Sequence, residues 1–388
     1  MTARSWPLLR SAVLGVLALA GVAGGACSNS GDGDADSPSA AGRTADTTNP
    51  GPPPVTRPCR QAPLEARAAT LLVVGVGGAT TAGNPLASQV AALGVGGVIV
   101  LRPNVVNAAQ VRAMGDGLRQ RSPRRLLIAV DEEGGRVSRL RPVLGATPSA
   151  RSLGLRPLAA ITDVGAERGA VLRDLGFDLS FAPVVDADGG SAGAAIGDRS
   201  FAAAPAEAGR RAGAFAEGLR RAGVAPTAKH FPGQGGLGDS HDGRVVSNTP
   251  LDGLKATAAA GFMPAFQAGV PVVMMSHVTY TALGSLPSSL EPAAYRLLRS
   301  FGFTGVAVTD ALGMSAITDQ WSIPQAAAMA IAAGADLVLA NQGDPATAMR
   351  DAIVSAVSAG RLPEARLNEA VSRVLLLRGE DPATMVCG

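Results

Sequence analysis

The chain has three histidines, and two of them, His230 and His241, fall in one stretch, KHFPGQGGLGDSH (229–241). Lys229 and Asp239 lie in the same stretch. Only one other lysine, Lys255, occurs among the 34 lysines and arginines. An ammonium kept at 229, where arginine serves almost everywhere else, marks a place for a compact, strongly hydrated cation. Four kinds of chemistry suit such a stretch, and its surroundings weigh against three of them.

Gly233–Gly238 has the spacing G-x-G-x-x-G and follows an apolar run that ends at Phe231. A dinucleotide turn must then open a helix that faces the pyrophosphate, with an acidic residue about 20 positions on. The continuation DSHDGRVVSNTPLDG is polar and turn-rich, and the acid is missing. Asp239, His241 and Asp242 could ligate a metal, but alternating ligands on a glycine-rich loop make a poor cage, and no second histidine cluster completes one. A nucleophilic Ser240–His241 pair fails because neighbouring side chains in an extended loop diverge, and no G-x-S-x-G is present. Acid–base work by His241 remains. Asp239, two residues away, projects to the same side of an extended segment. A carboxylate there fixes the imidazole tautomer and favours its protonated form. The glycines would let the loop close over a substrate. From composition alone, a solvated polar loop is the simpler alternative.

These residues need a frame. Eight short apolar runs recur: TLLVVGVGG (70–78), GGVIVL (96–101), RLLIAVD (125–131), LSFAPVVD (179–186), VAPTAKHF (224–231), VPVVMMSHV (270–278), TGVAVTD (304–310) and ADLVLAN (335–341). They read as strands buried on both faces. Between them lie Ala/Arg/Glu/Leu segments of helical spacing, several ending in Gly. Eight strands alternating with helices predict an α/β fold, a single (β/α)8 TIM-type barrel; an open doubly wound sheet is the competing arrangement. Polar residues collect at the run ends: Arg102, Asp131, Asp186, Lys229-His230, Ser276-His277, Asp310 and Asn341. That is where such a barrel carries its site.

The ends set the context. MTARSWPLLRSAVLGVLALAGVAGGAC has Arg4 and Arg10, an apolar run from Ser11 to about Val22, and small residues before Cys27. This is the pattern of an export signal, too short for a spanning helix. It resembles a bacterial lipobox, with Cys27 as the lipidated residue, although Gly24 stands where a larger apolar residue is usual. The expected organisation is a lipoprotein signal over 1–27, a flexible Gly/Ser/Pro-rich tether over 28–57, and the barrel domain over 58–388. With Cys27 lipidated, Cys59 and Cys387 remain as an even pair able to form a disulfide in an oxidising compartment. The net charge of +3, two of it from Arg4 and Arg10, shows no basic patch for nucleic acid.

KHFPGQGGLGDSH resembles the K-H-F-P-G-H-G…D-S-H signature of glycoside hydrolase family 3, in its β-N-acetylglucosaminidase branch. IAVDEEGGRVSRL (128–140), LSFAPVVD, IGDRSF (196–201) and GVAVTDALGM (305–314) fit the same branch in the same order. The resemblance implies retaining hydrolysis of terminal β-linked N-acetylglucosamine without a cofactor. Asp310 matches the nucleophile, His241 the acid/base and Asp239 its support; Asp131, Arg139, Arg199, Lys229 and His230 match sugar-holding positions. The branch and the export signal together imply a small sugar or muropeptide substrate, and the expected protein is a membrane-anchored exported monomer without metal. Gln234 departs from the signature, which has histidine there. Arg136 is expected to pair with Glu133, and His277 to pack behind the site. A phosphate-accepting phosphorylase and a catalytically degenerate sugar-binding lipoprotein are the alternatives.

Overall fold

The computed structural model describes residues 61–189 and 195–387. The expected signal peptide, tether, Cys27 and Cys59 lie outside the described residues. All eight apolar runs form strands: β1 Leu72–Val74, β2 Gly97–Val100, β3 Leu127–Val130, β4 Leu179–Ser180, β5 Ala225–Phe231, β6 Val272–Met275, β7 Val306–Ala311 and β8 Leu337–Ala340. Every neighbouring pair is parallel, and β8 returns to β1 through Leu72↔Val338, closing the barrel. The open-sheet alternative is thereby excluded.

A parallel strand ringed by helices has no wet face, and nearly every residue of these strands is buried. The strands are shorter than the apolar runs. LSFAPVVD pairs with its neighbours in register only at Leu179 and Ser180, with Phe181 N still donating to Val130 O and Ala182 O accepting from Thr227 N; Pro183 has no N–H to give, and contact resumes as one bridge, Val184↔Lys229. The extra apolar length packs against helices or turns into the loops of the mouth, the end where the strands finish.

Small residues bring the helices close. Helices Leu158–Asp174, Pro205–Arg221 and Leu251–Gln267 pack side by side. A Cβ at Gly209 would stand 2.1 Å from the Gly261 carbonyl oxygen, and one at Gly218 would stand 2.2 Å from that of Thr162. Backbones therefore touch there, and only glycine fits. Helix Glu364–Leu377 lies under the starts of β6 to β8: Arg366 and Arg373 both reach Asp336, just before β8. It closes the opposite end, the floor.

Candidate active site

Two irregularities in the barrel put charged side chains into its mouth. Successive strand residues normally face opposite ways. In β5 the register against β6 shifts between Lys229 and Phe231. Lys229 and His230, though adjacent, both reach carboxylates of the mouth. In β7 the register against β8 shifts between Val308 and Ala311, around Asp310. Bulges of this kind re-aim side chains next to functional sites.

EEGGRVSRL after β3 forms a small antiparallel hairpin, Glu132–Gly134 with Val137–Ser138. Its turn needs glycine: Gly134 has φ +92° and Gly135 +56°. The two glutamates part company. Glu132 turns into the hairpin, accepting from Leu140 N at 3.0 Å and Ser138 Oγ at 3.1 Å, and burial raises its pKa. Glu133 faces the mouth and binds two cations. Arg199 approaches it in a fork, Nε to Oε2 and Nη2 to Oε1, both at 2.8 Å. Lys229 Nζ reaches Oε1 at 2.7 Å and Asp131 Oδ1 at 2.9 Å. Arg139 Nη2 lies 3.7 Å from the other oxygen of Asp131.

Burial would raise the Glu133 pKa, but Arg199 and Lys229 outweigh it and hold the carboxyl well below its ordinary range. Lys229 shows the converse: burial lowers its pKa, Asp131 and Glu133 raise it more, and the net shift is upward. Arg136, expected beside Glu133, instead pairs with Asp198 at 3.1 Å and donates to the Ala195 and Ile196 carbonyls. The planar fork of Arg199 takes the Glu133 position; sequence proximity favoured Arg136, but the tight Gly134-Gly135 turn carries Arg136 outward.

His230 is fixed by Asp186, whose Oδ2 lies 2.6 Å from Nδ1 and 3.0 Å from the His230 backbone N. That contact turns Nε2 towards Asp310 Oδ2, at 3.9 Å. Asp310 accepts from Ala311 N at 2.7 Å. Burial pushes its pKa up, the field of His230, His277 and Lys229 pulls it down, and the net shift is downward. Asp310 is thus held as a carboxylate. Behind it, His277 is fully buried between Ser289 Oγ at 2.7 Å and the Ala311 carbonyl at 3.0 Å. Burial depresses its pKa, with Asp310 opposing. A neutral ring that donates Nε2–H to Ala311 and accepts from Ser289 satisfies both contacts. His277 thus packs behind the site, as expected.

The loop 232–241 forms the outer wall. Its base is pinned where Gln234 N donates to Asp186 Oδ1 at 2.6 Å and the Tyr280 hydroxyl donates to the Gly233 carbonyl. Gln234 Nε2 bonds the Gly238 carbonyl at 3.2 Å, and Ser240 O accepts from Ala316 N at 3.2 Å. Asp239 Oδ1 accepts from His241 N at 2.9 Å and lies 2.7 Å from His241 Nδ1. The same-side projection read from the sequence is therefore present. Burial raises and the His241 contacts lower the Asp239 pKa, with a net downward shift.

One pocket is lined by Asp131, Glu133, Arg139, Arg199, Lys229, His230, Asp239, His241 and Asp310. All eight expected catalytic and sugar-holding residues meet there. The roles of Glu133 as a shared anion, and of Asp186 as the partner that orients His230, were not read from the sequence. The signal for each was an acid at or just past the end of a strand. Among the described residues no three His, Cys, Asp or Glu side chains converge as a metal site would require.

The sequence profile of the glycosyl hydrolase family 3 N-terminal domain matches residues 64–377. The β-hexosaminidase LpqI of Mycobacterium tuberculosis H37Rv is 39% identical over 334 residues, covering 82% of this chain and 83% of that protein. A β-hexosaminidase of Xylella fastidiosa 9a5c is 34% identical, covering 69% of this chain and 82% of its own. Among solved structures, a family 3 glycosyl hydrolase of Mycobacterium smegmatis superposes with a TM-score of 0.75 at 38% identity, over 81% of this chain and 97% of that one. A family 3 β-N-acetylglucosaminidase of Paenibacillus sp. FPU-7 superposes with a TM-score of 0.77 at 31% identity, over 84% and 64%.

Proposed function

The chain belongs to glycosyl hydrolase family 3 and is a glycoside hydrolase, and from that premise we propose that it is an exported, retaining β-N-acetylglucosaminidase acting on cell-wall fragments. Several observations support this reading. The relatives named above are β-hexosaminidases and a β-N-acetylglucosaminidase. The N-terminal sequence has the form of an export signal, with Cys27 as the acyl acceptor. The chain has only two Trp and two Tyr beside nine Phe, and so little platform for long polymers, which favours short fragments.

In this mechanism Asp310 attacks the anomeric carbon and forms a glycosyl ester while the leaving oxygen departs with a proton from His241. His241 then takes a proton from water, which attacks C1 and releases the sugar with its β configuration. Asp239 holds the His241 ring through Nδ1, leaving Nε2 to carry the proton. Lys229, Asp131, Arg139 and Arg199 bind sugar hydroxyls. A pocket of such donors and acceptors rejects sugars that leave them unpaired. The single observation that carries the reading is that Asp310, at the end of β7, and the loop-borne His241–Asp239 pair line one pocket.

The expected Cys59–Cys387 disulfide belongs to the same reading. Its support is that Ala62 N bonds Met385 O at 3.0 Å, which brings the two ends of the domain together. The test of function is turnover of a nitrophenyl β-N-acetylglucosaminide, followed by product analysis on purified muropeptides with and without phosphate. Free N-acetylglucosamine at a rate indifferent to phosphate is expected. A sugar phosphate would establish phosphorolysis, and no turnover would leave a binding protein.

A further inference from the structure

The two ends of the barrel differ in how their cations are paired. In the mouth, the pocket carboxylates Asp131, Glu133, Asp239 and Asp310 share their pocket with the cations Arg139, Arg199 and Lys229. The floor, where helices hand over to strands, is set with arginines: Arg121, Arg124 and Arg125 before β3, Arg173 before β4, Arg220 before β5, and Arg361 ahead of helix Glu364–Leu377. Among the described residues none of these six is in an ion pair.

Helix C-termini attract cations, and that accounts for Arg121, Arg173 and Arg220, which lie in last turns or at helix ends. It does not account for Arg124, Arg125 and Arg361, which lie in connecting segments beyond them. Arg378, the C-cap of helix Glu364–Leu377, differs from these in its burial. This residue is 1% exposed, and Glu380 touches it at 2.8 Å, yet no hydrogen bond satisfies its Nε, Nη1 or Nη2 among the described residues. Burial lowers its pKa, Glu380 opposes, and Arg124 and Arg125 add to the lowering. Arg125 lies beside this segment, since a Cβ at Gly379 would stand 3.7 Å from its Nη1, so cationic groups cluster there. Such a cluster is stabilised by an external anion.

Two further features share this face. Leu376 is 63% exposed on the helix that closes the floor. The described chain begins there as well, since Gln61 donates to Glu364 Oε1 at 2.8 Å.

We infer that the floor is a docking face for an anionic phospholipid surface, with Arg124 and Arg125 at its centre and the barrel mouth turned away from the bilayer. Headgroup phosphates meet the arginines, and Leu376 meets the interface. The inference does not depend on which sugar the pocket takes.

The test compares two full-length chains, each with Cys27→Ser so that no acyl group is attached. One is otherwise native and the other carries Arg124→Ala, Arg125→Ala and Arg361→Ala. Both keep the same N-terminal apolar segment, so its contribution cancels. Co-sedimentation is measured with vesicles of phosphatidylcholine alone and of phosphatidylcholine mixed with phosphatidylglycerol. Each surface arginine is worth about fivefold in partitioning to an anionic bilayer. The variant should therefore lose on the order of 100-fold of the preference for anionic vesicles, while both chains bind neutral vesicles alike. The native preference should fall as salt is raised. Replacing the same three arginines with lysine should keep the preference. Equal preference in the native and alanine chains would overturn the inference. So would a native chain with no preference for anionic vesicles, or a lysine variant that loses as much as the alanine one.

Discussion

The inner wall of the pocket and its outer flap hold the same kinds of groups in opposite surroundings. On the inner wall, Lys229, Glu133 and Arg199 have side chains 3%, 3% and 16% exposed, and each binds at least one opposite charge. On the flap, His241 and Asp239 are 65% and 40% exposed and bind chiefly each other. An exposed pair of this sort contributes about 0.2–1 kcal/mol. Removing one partner from a buried pair costs about 3–5 kcal/mol, because the other charge is stranded. The inner wall is therefore fixed by folding itself. The flap is free to be fixed by the substrate, gaining its electrostatic strength when closure removes water. Changes to the inner wall should cost activity and stability together; changes to the flap should cost activity alone.

Asp310 belongs to the wall and should show the largest effect. Asp310→Ala should lower kcat by about 10⁴-fold or more, as loss of a covalent nucleophile does, with a native circular dichroism spectrum and a lowered Tm. A variant with substantial turnover would remove Asp310 from the mechanism. On the flap, His241→Ala should lower kcat by about 10²–10⁴-fold on substrates with poor leaving groups and much less on nitrophenyl glycosides. Its Tm should stay within about a degree of native, because an exposed pair carries little stability. Equal losses on both substrate classes would argue against proton donation by this ring, and a large fall in Tm would blur the contrast between wall and flap.

Glu133→Gln sharpens that contrast. It keeps the shape but leaves Lys229 and Arg199 short of a shared anion, so both lose their set positions. We expect KM to rise about 10–100-fold, as when a partner orienting a binding group is lost, with a smaller change in kcat. Tm should fall by several degrees. An unchanged Tm would mean that the network is looser than its distances imply.

The smallest effects concern pH, and all act on the acid side. The folded pKa of His277 lies below its ordinary 6.5. The unfolded chain therefore binds more protons, and stability is lost as pH falls below about 6.5. Glu133 and Asp310 are held below their ordinary 4.5 and 3.8. Their contribution is full above those values and is lost as pH falls through and below them. Thermal melts across this range should show two stages, with His277→Gln flattening the first. A melt insensitive to pH between roughly 7 and 4 would contradict the buried placement of His277.

Much of this was legible in the sequence. The eight apolar runs mark the eight strands because strands buried on both faces leave no room for polar residues, and their polar ends mark the mouth. Asp239 and His241 were legible as a pair because two-residue spacing in an extended loop needs no tertiary information. Partner choice on the inner wall was not legible. Arg136 is nearer to Glu133 in sequence, but the Gly134-Gly135 turn decides which cation arrives, and that turn depends on φ values that no residue count supplies. The inward aim of both Lys229 and His230 was hidden for the same reason. Period-two alternation would send one of them out of the mouth, and the register shift in β5 is a property of the assembled ladder.

The central claim is that Asp310 forms a bond to the sugar's anomeric carbon. The direct test uses an N-acetylglucosaminide with a good leaving group and a ring fluorine that slows both steps, so that the ester accumulates for peptide mapping by mass spectrometry. The account predicts a single sugar adduct on Asp310, in the peptide spanning GVAVTDALGM, released on reactivation as the β-anomer. An adduct on any other residue, or no adduct together with an α-configured product, would contradict it.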